Sequence, residues 1–315
     1  MTDIVKRDEL APAAAGSSFP DLVGRFLASL DRRESTKATY RRALKPFGQW
    51  VNEAAPSGPL TAETVLNYKK DLIGRGLAPH TINVYLTAVK RFFAWSEGAG
   101  LYPDIAKNIE PMKRERKFCK DALTPDQVRQ LLRSIKTKTA IGKRDFAIVN
   151  LIINTGLRTI EVIRADRGDI VNRGDATVLY VQGKGRDAKD DFVVLEPFTL
   201  AAINKYLRTR GTVPAGAPLF TAAGNRNVAG RMTTRSVSRL AKRAIERVAP
   251  GNPRLTAHSL RHTAVTLALL AGATVQEAQA FARHSDINTT LIYAHNIDRI
   301  GAAPEKKIAA LLRAS

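Results

Sequence analysis

Apolar residues recur every three or four positions through most of the chain, the period of an amphipathic helix. Between Phe19 and about residue 110, four such runs follow one another. In PDLVGRFLASL, Leu22, Phe26 and Leu30 share a face, with Asp21 near the helix start. STKATYRRALKPFGQWV opens at a capping Ser35 or Thr36 and aligns Tyr40, Leu44, Phe47 and Val51. Pro46 should kink or interrupt that helix, because proline removes a rung of the hydrogen-bond ladder. TAETVLNYKKDLIGRG begins at a cap, Thr61, and stops at glycine, and APHTINVYLTAVKRFFAWSEGAG is likewise closed by glycine. Short links join the four runs, which predicts an all-helical bundle over 19–110.

The second half begins with LTPDQVRQLLRSI, where Thr124 is a natural N-cap, Pro125 fits the first helical position and Gln127 completes a capping box. KRDFAIVNLIINTG predicts the next helix, and another starts after Gly156. In DIVNRGDATVLYVQGKGRDAKDDFVVLE the period changes. Runs rich in β-branched residues are broken by NRGD and GKGRD, which predicts a three-stranded antiparallel sheet. After Pro197 the pattern is helical to the end. The tail GAAPEKKIAALLRAS carries an apolar stripe of Ile308, Leu311 and Leu312, suited to packing on its own core or on a neighbouring copy. The fold expected is mainly α, with one helical domain followed by an α-rich domain that contains a small sheet. The boundaries expected are a flexible tail over 1–17, a first domain over 18–112, a linker over 113–121 and a second domain over 122–315.

Charge changes what these helices are for. The 315 residues carry 50 Lys and Arg against 29 Asp and Glu, a net charge of +21. Such an excess on a folded chain points to a polyanion, most often nucleic acid. The polar faces of the first domain are basic, with Lys37, Arg41 and Lys90 as candidate DNA contacts beside Arg42, Lys69, Lys70 and Arg91. The stretch PMKRERKFCKDAL, basic and with little to bury, reads as the linker. Cys119 is the single cysteine, so no intramolecular disulfide and no multi-cysteine zinc site can form. MTDIVKRDEL lacks the apolar core of a signal peptide and no apolar run is long enough to span a bilayer, so a cytoplasmic location is expected.

Four fragments of the second domain carry unusual polar chemistry. In TGLRTIEVI, Glu161 lies one helical turn from Arg158 and can hold its guanidinium. In VQGKGRD, Lys184 sits between two glycines at a strand end, where a tight turn projects it outward; Lys189 further along the same hairpin is a rival. In TAHSLRHTAVTLAL, His258, Arg261 and His262 share a helix, but the glutamate of a zinc-binding H-E-x-x-H is missing, so no metal is expected. FARHSDINTTLIYAH brings His284, Tyr293 and His295, and four of the five histidines fall within 258–295. Phosphodiester cleavage without a metal requires cations on the non-bridging oxygens, a nucleophile, a proton acceptor and an acid for the leaving oxygen. Arg158 and Arg261 can clamp one phosphate, Tyr293 can attack, His258 can take the phenolic proton, Lys184 can protonate the leaving group and His284 can bond the phosphate.

In this order the residues resemble the tyrosine recombinase, or phage integrase, family. The resemblance rests on TGLRTIE, GKG, HSLRH and RHSDINTTLIYAH, is strong over about 122–300, and is looser over the helical first domain. It implies a four-helix, SAM-like core-binding domain followed by a catalytic domain whose six catalytic residues are Arg158, Lys184, His258, Arg261, His284 and Tyr293. It also implies a duplex DNA partner with a specific site, a 3′-phosphotyrosyl intermediate, a Holliday junction, a tetrameric synapse, and no need for ATP, metal or other cofactor. Strand relaxation of the type IB topoisomerase kind, and DNA binding without cleavage, are the alternatives. One departure stands out: where the family usually has glycine before the histidine at His284, this chain has Arg283.

Overall fold

The computed structural model describes residues 18–54, 58–113, 121–183, 185–223, 230–294 and 304–313. The expected tail and almost all of the expected linker lie outside them, as do Lys184 and His295. The chain divides into two compact units, Met1–Lys117 and Phe118–Ser315.

The first unit holds α1 (Phe19–Ser29), α2 (Glu34–Ala54), α3 (Ala62–Gly74) and α4 (Pro79–Gly98). Ser18 and Asp21 close a capping box at the start of α1. The core is aromatic: Phe26, Phe47, Tyr68, Phe92 and Phe93 are almost wholly buried. Phe47 meets Phe93 edge-on, with centroids 5.9 Å apart. Each such ring contributes about 1.5–3 kcal/mol through removal from water, which makes this unit's core a matter of packing more than of helix propensity. The same packing explains a difference from expectation. Pro46 does not interrupt α2, which runs unbroken from Glu34 to Ala54. One ladder bond is lost, but Leu44 and Phe47, both fully buried, anchor the helix on either side.

Some of the basic residues of this unit serve its own chain. Lys90 donates to the Ile109 carbonyl at 3.1 Å and Lys69 to the Glu110 carbonyl at 2.6 Å. Asn83 brackets Met112, donating to its carbonyl and accepting from its N–H. These side chains from α3 and α4 hold the segment that leaves the bundle. Lys37 lies 3.5 Å from Glu34, and Arg41 is exposed.

The second unit begins with α5 (Pro125–Ser134), whose Thr124–Gln127 capping box forms as the sequence predicts. α6 (Ala140–Thr155) follows, almost entirely buried from Ala147 to Ile153, and packs against α8 (Pro197–Leu207) and α10 (Ala257–Leu270). Between α7 (Thr159–Arg164) and α8 lies the antiparallel sheet β1 (Ile170–Arg173), β2 (Ala176–Val181) and β3 (Asp191–Val194). Leu179 pairs with Ile170 on one side and Val193 on the other. The unit closes with α9 (Thr234–Glu246), α10, α11 (Val275–Ala282), α12 (Asn288–Ala294) and α13 (Pro304–Arg313). The expected helical run after Pro197 is broken between α8 and α9. There the described residues form irregular chain with isolated bridges Asp166–Pro218 and Thr221–Arg231. Gly211, Pro214, Gly216 and Pro218 explain it, since each disfavours a continued helix. The tail does form the short helix expected, α13, with Ile308 and Leu312 exposed. Among the described residues, no helix is long and apolar enough to cross a membrane.

Candidate active site

The site starts at the end of α6. Gly156 takes the left-handed conformation, φ 63°, and turns the chain out of the helix. A Cβ there would also stand 3.0 Å from the Phe281 ring, so glycine is favoured on both counts. The turn places Arg158 immediately before α7. Glu161, one turn into α7, is fully buried. Its carboxylate accepts from the Arg158 backbone N–H at 2.7 Å and from Arg158 Nη1 at 2.8 Å. Burial alone would raise the pKa of this acid. Arg283, the Arg158 N–H and the Arg158 guanidinium outweigh it and hold the pKa below the usual carboxylate value.

Arg261 rises from α10 on the opposite side and is 2% exposed. It donates to the carbonyls of Gly156 and Ala282, which tie the end of α6 to the end of α11. Burial, then the nearby Arg158 charge, bring its pKa down to about 10, so it stays cationic at neutral pH. Arg158, His258 and Arg261 line one pocket of about 280 Å³, together with Thr159, Ser238, Lys242 and Thr256. Two arginines drawn from separate segments onto one cavity are a fitting receptor for a phosphate.

Tyr293 lies on α12, which packs on α10 and α11. It is 2% exposed, in a small cluster with Val265, Leu269, Ala278 and Ala282. Burial pushes its phenol up to about 12, and Arg261 and Arg158 act in the opposite direction. Its ring lies 5.0 Å from that of His262, and His262 lies 4.6 Å from His258. The exposed His258 thus reaches toward Tyr293 through His262, a residue the spacing argument considered only as a possible metal partner. His284 stacks near Tyr293 at 6.1 Å, and its Nδ1 is 2.8 Å from the Thr290 hydroxyl. Burial first, then Arg261 and Arg158, bring His284 down to about 4, so the imidazole is neutral at physiological pH. Thr290 is fully buried. Lys242 and Ser238 had no sequence signal beyond belonging to a basic helix.

Of the six catalytic candidates, the structure brings five into one neighbourhood. Lys184 lies outside the described residues, although its neighbour Gly185 adopts φ 89° in the β2–β3 hairpin. The rival lysine is engaged elsewhere: Lys189 Nζ is 2.7 Å from the Asp166 carboxylate and also bonds Asp169. Arg231 joins the same Asp166 carboxylate. Among the described residues, no group of three or more His, Cys, Asp or Glu is arranged to hold a metal ion.

Arg283 caps α11 and, among the described residues, is the only non-glycine with positive φ, at 52°. The backbone conformation that glycine would adopt freely is kept here by an arginine, at a cost of about 1 kcal/mol or more. Its guanidinium is nearly buried and meets Glu161 Oε2 at 2.9 Å.

Comparison with known proteins identifies the family. Residues 121–299 match the phage integrase family model. A tyrosine recombinase of Synechocystis sp. is 29% identical over 277 residues, covering 84% of this chain and 87% of that protein. The tyrosine recombinase XerD of Caulobacter vibrioides is 30% identical over 283 residues, covering 85% and 90%. Among solved structures, the XerH site-specific recombinase bound to palindromic difH substrate superposes with a TM-score of 0.69 at 20% identity, covering 85% of this chain and 79% of that one. A lambda integrase dimer bound to a COC′ core site gives 0.67 at 17% identity, with 86% and 96% covered. This chain therefore belongs to the phage integrase family and is a tyrosine-type site-specific recombinase.

Proposed function

We propose that the protein cleaves and rejoins duplex DNA at a specific site through a 3′-phosphotyrosyl intermediate on Tyr293. The observation that carries this reading is the pocket lined jointly by Arg158, His258 and Arg261, together with the Tyr293 ring stacked against His284 and close to His262. In this reading the two guanidiniums hold the non-bridging oxygens of the scissile phosphate. The Tyr293 oxygen attacks phosphorus, the P–O5′ bond breaks, and the 3′ end remains joined to the protein. The phenolic proton passes to the histidine pair His262 and His258. The 5′ oxygen leaves with a proton from Lys184, the hairpin lysine preferred because Lys189 is held by two aspartates. His284, neutral and oriented by Thr290, donates to a phosphate oxygen.

A free 5′-hydroxyl from the same or another duplex can reverse the attack and release Tyr293. The phosphodiester energy is retained in the covalent link, so neither ATP nor a metal enters the balance. Tyr293 is buried, so DNA binding must uncover it before attack. The bound DNA of the XerH and lambda integrase structures supports a duplex partner for this chain too, and the lambda integrase dimer supports assembly on that DNA. In this reading four protomers exchange strands through a Holliday junction. The net charge of +21 fits the same partner.

The binding site is first recovered by selecting bound duplexes from a random-sequence pool. A supercoiled plasmid carrying two such sites is then incubated with the protein. Excised or inverted products support recombination. Relaxed circles without recombinants would replace it with topoisomerase-like chemistry, and no strand breakage at all would leave only binding.

A further inference from the structure

We propose that Arg283 is a positioning residue that neutralises Glu161 and thereby leaves Arg158 free to bind the scissile phosphate. The inference rests on the phosphotyrosyl reading above. Glu161 offers one negative charge to two guanidiniums, Arg158 at 2.8 Å and Arg283 at 2.9 Å. It is fully buried, so the carboxylate has no solvent contact of its own. If Arg158 were its only partner, the carboxylate would cancel the charge that the phosphate needs. With Arg283 present, the cluster of Arg158, Arg261, Arg283 and Glu161 keeps two net positive charges. That matches a phosphorane transition state, which carries one more negative charge than the diester it came from.

The contacts of Arg283 reach α7, the start of β3 and the end of α11. Its Nη1 donates to the Phe281 carbonyl at 3.1 Å, and its Nε lies 3.9 Å from Asp191 at the start of β3, where the Lys184 hairpin returns. Its own carbonyl accepts from Arg158 Nη2 at 3.4 Å. The next residue is His284. One side chain therefore connects α7, the sheet and the turn between α11 and α12. The left-handed backbone of Arg283 is a strained choice for an arginine, and glycine would relieve the strain while removing all of these side-chain contacts.

This makes Arg283→Gly an informative variant, because it favours the local fold and abolishes only the guanidinium. The test is single-turnover cleavage of a nicked substrate that carries the selected site, with either the ordinary phosphodiester or a methylphosphonate at the scissile position. The methylphosphonate lacks one charged oxygen, so it asks less of the positive cluster. Arg283→Gly is expected to cleave the ordinary substrate about tenfold more slowly, with DNA affinity within about threefold of wild type. The deficit should shrink on the methylphosphonate, and Arg283→Lys should recover part of the rate on the ordinary substrate. An equal deficit on both substrates would mean that Arg283 only shapes the turn, and a wild-type rate would mean that it does nothing to Arg158. Either result overturns the proposal. Failure of the wild-type protein to form adducts on the ordinary substrate would instead overturn the phosphotyrosyl reading beneath it.

Discussion

Replacing Glu161 by glutamine tests how far the site depends on its buried acid. The side chain keeps its volume and one carbonyl acceptor but loses its charge. Glu161 is fully buried and holds the Arg158 N–H and two guanidiniums, Arg158 and Arg283. Removing one partner of a buried ion pair costs about 3–5 kcal/mol, chiefly because the remaining charge is left uncompensated. Here both arginines are partly able to reach solvent, and glutamine retains one acceptor, so the lower end, about 3 kcal/mol, is the expected loss. In a domain the size of Phe118–Ser315, each kcal/mol is about 2–4 °C in Tm, which gives a fall of about 6–12 °C. Thermal melts of the full chain followed by circular dichroism at pH 7 measure it, with Glu161→Asp as the charge-preserving control. A Glu161→Gln melt within about 2 °C of wild type would mean that the two arginines are satisfied without the carboxylate, contrary to this prediction.

Two further predictions concern His284 and Lys184. The folded protein holds His284 at about 4, below the 6.5 of an unperturbed imidazole, so the unfolded chain binds the extra proton first as pH falls. Stability should therefore drop as pH decreases from about 6.5 to about 4, and His284→Gln should flatten that part of the profile; parallel wild-type and variant curves would contradict the assignment. For Lys184, the alanine variant should slow cleavage strongly while binding DNA nearly as well as wild type. A 5′-bridging phosphorothiolate at the scissile position, whose thiolate leaves without a proton, should restore the rate, and a persistent deficit would remove Lys184 from the role of acid.

Much of this site could be read from the sequence because each part has a local signature. The Thr124 capping box, the Gly156 helix end and the β2–β3 glycines are short-range devices, and the structure reproduces them where they can be described. Arg158 with Glu161 is a single helical turn, visible from spacing. The contacts between distant segments were not readable. Nothing in the sequence says that Arg261 binds the Gly156 and Ala282 carbonyls, that Thr290 orients His284, or that His262 stands between His258 and Tyr293. Those depend on how α6, α10, α11 and α12 pack. Pro46 does not interrupt α2 for the same reason, since fully buried neighbours decide more than one missing bond. Lys90 and Lys69 looked like free basic faces but are bound to carbonyls of their own unit, which no charge count reveals. Arg283 was visible as an unusual residue, but its partner, 122 positions away, was not.

The chemistry turns on Tyr293 as the nucleophile. The most direct measurement is to trap the protein on a nicked substrate bearing its selected site, digest the covalent complex and identify the DNA-linked residue by mass spectrometry. A 3′-phosphate joined to the oxygen of Tyr293, and no adduct from Tyr293→Phe, are expected. A link to any other residue, a link through a 5′-phosphate, or adducts that persist in Tyr293→Phe would contradict this role.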